Sequence, residues 1–108
     1  MSSCSIPVSI GELIDKITIL KIKLDRIQNE SALANIKFEY YSLIKLEEEL
    51  NLPSEIFNLK NKLFNVNLEL WDVCEQRRFL DKKENFGDTF INLSQLEYQL
   101  NDSRAIIK

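Results

Sequence analysis

The chain is 108 residues long, with 44% hydrophobic and 29% charged residues and a formal net charge of −3. That size accommodates one core and no second independent one, and the balance excludes a disordered or fibrous polypeptide. Histidine is absent, which removes imidazole acid–base catalysis and every His-based zinc or di-iron centre.

Apolar runs are only a few residues long, far short of the ~20 needed to cross a bilayer, so no membrane partner is expected. Met1-Ser2-Ser3-Cys4 lacks the basic and apolar regions of a signal peptide, which predicts a cytoplasmic protein. The two cysteines, Cys4 and Cys74, have no metal-like spacing and are expected to stay reduced.

Residues 1–8 are expected to form an extended arm. The first helix then has a full start signal: Ser9 as N-cap, Glu12 placed to return the capping-box bond, and Val8 placed to staple against Leu13. Ile10, Leu13, Ile17, Leu20, Leu24 and Ile27 follow at alternating spacings of three and four, one stripe of a helix. A second helix is predicted from about Ser31 to Leu50, burying Leu33, Ile36, Tyr40, Leu43, Ile44 and Leu50, with Glu47 interrupting the seam. Leu52-Pro53 should end it, because proline cannot continue the hydrogen bonding, and Ser54 offers the next cap.

The third helix should be the longest, from about Glu55 to Glu84, or roughly 45 Å at 1.5 Å per residue. Its seam is Ile56, Leu59, Leu63, Val66, Leu70, Val73 and Leu80, broken at Arg77. Asn85-Phe86-Gly87-Asp88 is the break that follows, with Gly87 suited to a left-handed exit and Asp88 to the next cap. The fourth helix would bury Phe90, Leu93, Leu96 and Leu100. Asn101 or Asp102 then predicts a second cap and a short closing turn; since one isolated turn is unstable, the natural chain is expected to continue past Lys108. These features predict an all-α fold, an antiparallel bundle of four helices plus a short C-terminal turn, in a single domain over residues 1–108.

The third helix carries more apolar surface than its seam needs. On a helical wheel the seam covers about 80°, at 100° per residue. Phe57, Phe64 and Trp71 lie outside it, one heptad apart, and widen the apolar face to roughly half the circumference, beyond the ~100° of a surface helix. The first helix has a similar excess at Ile19 and Ile22. Each buried aromatic contributes about 1.5–3 kcal/mol, against a total stability of about 5–15 kcal/mol, so the rings need cover. Neighbouring helices of the same chain could supply it. So could a second copy, in a homo-oligomer with the dimer favoured, through Phe57, Phe64, Trp71, Ile19 and Ile22.

Chemistry would have to come from carboxylates: Glu12 and Asp15 on the first helix, Glu69, Asp72 and Glu75 on the third. Carboxylates three apart face the same way and can hold Mg²⁺ with water completing the shell. The stretch Leu43-Ile44-Lys45-Leu46-Glu47-Glu48-Glu49-Leu50, followed by Glu69-Leu70-Trp71-Asp72, resembles the metal-binding pattern of the all-helical nucleoside triphosphate pyrophosphohydrolases. It departs from that pattern at Asn51, where the family has its third glutamate, and it lacks the flanking glycine. Glu69 and Asp72 also point away from the seam, as solvated charges do. The basic groups Lys16, Lys23 and Arg26, and Arg77, Arg78, Lys82 and Lys83, form no aromatic-interleaved stripe, so no nucleic-acid partner is expected. An anion or sugar-phosphate binder using Arg26, Arg77, Arg78 or Arg104 is a third class. Ser and Cys have no evident activating base, and two glycines make no phosphate loop.

The opening Ile6-Pro7-Val8-Ser9-Ile10-Gly11-Glu12-Leu13-Ile14-Asp15-Lys16-Ile17-Thr18-Ile19-Leu20 resembles an uncharacterised bacterial family of short helical proteins, a domain of unknown function. Leu70-Trp71-Asp72, the stretch from Phe86 to Ile91, and Asn101-Asp102-Ser103-Arg104-Ala105 are similar to its later motifs, while Val73-Cys74-Glu75-Gln76 is less acidic. The resemblance implies no activity and no catalytic residues. The expected function is a non-catalytic, self-associating helical interaction module without a cofactor, the alternative being a Mg²⁺-dependent hydrolase of the pyrophosphohydrolase type.

Overall fold

A computed structural model describes residues 7–108; Cys4 and most of the expected arm lie outside the described residues. Four helices follow in order, α1 (Ile10–Arg26), α2 (Glu30–Glu49), α3 (Ser54–Lys82) and α4 (Asp88–Ile107), with no strand among the described residues. The chain divides into two compact units, residues 1–52 and 53–108. Within the first α1 packs on α2, and within the second α3 packs on α4. Short connections make each pair a helical hairpin. No helix of the described residues is long and apolar enough to cross a membrane.

α1 starts where its signal placed it. Ser9 is extended, and its Oγ accepts from the Glu12 N–H at 3.2 Å. Val8, expected to staple, is exposed. Of the expected stripe, Leu13, Ile17 and Leu20 are buried, while Ile10 is exposed and Leu24 and Ile27 are half-buried. Ile14, Asp15, Thr18 and Ile22 are buried as well. From Leu20 round to Asp15 the buried arc spans about 220° at 100° per residue, so the stripe is only one side of what α1 buries. Thr18 satisfies its hydroxyl within the helix, donating to the Asp15 carbonyl at 2.7 Å.

α2 begins at Glu30, slightly ahead of the expected Ser31, because Asn29 caps it: Asn29 Oδ1 accepts from Ala32 N–H at 3.0 Å. Asparagine ranks with the best N-caps, and Glu30 in the first turn complements the helix dipole. Only Ile36 and Glu47 are buried on α2, while Leu33, Tyr40, Leu43 and Ile44 are half-buried and Leu50 is exposed. The stop comes at Asn51, in the left-handed region with φ 48°, before proline has its effect.

The start of α3 differs from expectation. Pro53 holds the cap position in extended conformation, with no side-chain cap bond, and Ser54 is already helical. Proline's fixed φ leads into the helix, and its carbonyl accepts from Ile56 N–H at 3.0 Å. The far end corrects a second expectation. Glu84, not Gly87, takes the left-handed position, with φ 54°. Asn85 N–H donates to the Leu80 carbonyl at 2.9 Å and Glu84 N–H to that of Asp81 at 3.0 Å, the paired bonds of a Schellman ending. Gly87 is extended and caps α4, so Asp88 is its first residue instead of its cap.

α4 continues unbroken to Ile107, in place of a separate closing turn. Asn101 turns its side chain back along the helix, Nδ2 donating to the Glu97 carbonyl at 3.2 Å. Continuing the helix also avoids the cost of nucleating another. The core of this hairpin is Leu70, Val73 and Leu100, with Val66 and Leu93 packed against it. Leu96, expected inside, is exposed, and Phe90 is half-buried.

The two left-handed residues give a direct test. A non-glycine residue there costs about 1–2 kcal/mol, less for asparagine. Glu84→Gly should raise stability by up to about 1 kcal/mol after the added freedom of the unfolded chain, and Asn51→Ala should lower it by about 1 kcal/mol. Urea unfolding measures both; a loss on Glu84→Gly would contradict the assignment of the α3 ending.

Candidate functional site

Phe57, Phe64 and Trp71 share one flank of α3, but they are not equally covered. Phe57 is 50% exposed, whereas Phe64 and Trp71 are half-buried. The gradient follows from helix geometry: each seven-residue step falls about 20° short of two full turns, so the stripe winds toward the buried face along α3. Asn67 and Leu63, next to it, are buried. Trp71 Nε1 is buried without an acceptor, an omission worth about 1–3 kcal/mol. Of the first-helix residues expected to join this surface, Ile19 is half-buried and Ile22 is 3% exposed.

The five expected metal ligands divide between the two units, Glu12 and Asp15 in the first and Glu69, Asp72 and Glu75 in the second. Glu12, Glu69 and Glu75 are exposed, Asp72 is half-buried and Asp15 is buried. Among the described residues no group of three or more Asp, Glu or Cys side chains is placed to hold a metal ion. Helical spacing puts carboxylates on a common face, but bringing a third ligand to them depends on tertiary placement, which spacing does not encode.

The α3–α4 hairpin holds a polar cluster that centres on Glu97, a residue the sequence did not single out. Cys74 Sγ donates to Glu97 Oε1 at 3.3 Å, and Arg77 Nη1 lies 3.1 Å from Glu97 Oε2. Arg77, which breaks the apolar seam of α3, thus has its charge answered from α4. The only available signal was Glu97 lying four residues after Leu93 and three before Leu100, on the packed side of α4. Burial pushes the Cys74 thiol above its ordinary pKa, and the Glu97 carboxylate adds to this, against a lowering by Arg77 and Arg78. A thiol held protonated is a poor nucleophile.

Two charged pairs lie in the first hairpin. Lys16 pairs with Glu39 at 2.8 Å and Arg26 with Asp25 at 3.6 Å. On α2, Glu47 is buried in mid-seam, and Tyr40 has its phenol pKa raised by burial, by Tyr41 and by Glu47. At the turn of the second hairpin an open groove of about 470 Å³ is lined by Glu75, Gln76, Phe79, Leu80, Thr89 and Leu93. Phe79 is exposed there, with Lys83 Nζ 4.3 Å from its ring centroid, and Phe86 meets Phe90 edge to face at 5.2 Å.

These features define an all-helical protein of two hairpins with an aromatic flank on its longest helix and a damped thiol. The chain belongs to the Family of unknown function (DUF6165), which matches residues 4–108. No curated protein and no solved structure matches it.

Two measurements probe this surface. Trp71→Ala should cost about 3 kcal/mol, while Trp71→Phe, which keeps a ring and removes the orphaned N–H, should stay within about 1 kcal/mol of wild type. Equal losses in urea unfolding would mean that the indole N–H has a partner. In a Cys4→Ser background, Cys74 should alkylate more slowly with iodoacetamide near neutral pH than a free cysteine does, and Glu97→Gln should speed it, since the carboxylate that favours the protonated thiol is gone. An unchanged rate in Glu97→Gln would remove Glu97 from control of the thiol.

Proposed function

We propose that this protein is a non-catalytic, self-associating helical module, and that the aromatic flank of α3 meets a second copy of the chain. The observation that carries the reading is Phe57, half open to water at the head of a stripe whose other two rings are only partly covered. Burying an aromatic side chain is worth about 1.5–3 kcal/mol, a large share of a small domain's stability, so a contact that closes this flank has a clear driving force. A two-fold partner presents the same flank and needs no other protein.

The reading uses no cofactor and no nucleic acid, and it sets the protein in the cytoplasm.

Sedimentation velocity across the micromolar range provides the test. The wild type should sediment as a dimer, and Phe57→Glu as a monomer with unchanged helical circular dichroism, because a half-exposed side chain tolerates the charge in the folded protomer. A wild type that stays monomeric at every concentration ends the proposal. So does a Phe57→Glu variant that is folded and still dimeric.

A further inference from the structure

We draw no further inference here: the strongest candidate, the open groove between α3 and α4 lined by Glu75, Phe79, Leu80 and Leu93, is an unpartnered face, and nothing in the structure shows what covers it.

Discussion

The width of the apolar arc on α3 is the constraint to which the second hairpin responds. From Val73 round to Phe57 it spans about 200° at 100° per residue, roughly twice the stripe that a surface helix presents to one neighbour. α4 closes the side made by Val66, Leu70 and Val73, using Leu93 and Leu100. It meets that side through a narrow set of its own residues and leaves Ile91, Leu96 and Tyr98 in water. The opposite flank of α3 winds from an open Phe57 to a half-buried Trp71.

Around that constraint several polar groups are paired, while the buried Trp71 Nε1 is left without an acceptor. Glu97 answers Arg77 and accepts from Cys74, which removes one charge from the hairpin seam and holds the thiol protonated. A partly exposed ion pair of this kind contributes at most about 1 kcal/mol. Thr18 donates to its own helix, and Asn101 does the same.

Much of the fold was legible because its signals are local. Ser9 and Glu12 fixed the start of α1 through a bond three residues long, and the alternating three-four spacing picked out Leu13, Ile17 and Leu20. Helix ends were less legible, since several residues compete for one role. Gly87 is the better left-handed residue by propensity, yet the bonds from Glu84 and Asn85 close α3 earlier; Asn101 has capping chemistry, yet within an unbroken helix its amide finds the Glu97 carbonyl instead. The flank was visible as a heptad of rings, but its exposure gradient depends on the drift between seven residues and two turns. The Glu97 cluster was illegible, because pairing between α3 and α4 sets it and one sequence carries no record of that register.

The central claim concerns cover on one side of α3, and Trp71, the chain's single tryptophan, reports from that side. Acrylamide quenching of its fluorescence, followed from nanomolar to high micromolar protein, tests the claim most directly. If a second copy closes the flank, the quenching constant falls as concentration rises and levels off once association is complete. A constant that stays the same over the whole range would show that the flank has the same cover in the lone chain as in the crowded solution, and the account of α3 as an association surface would be contradicted.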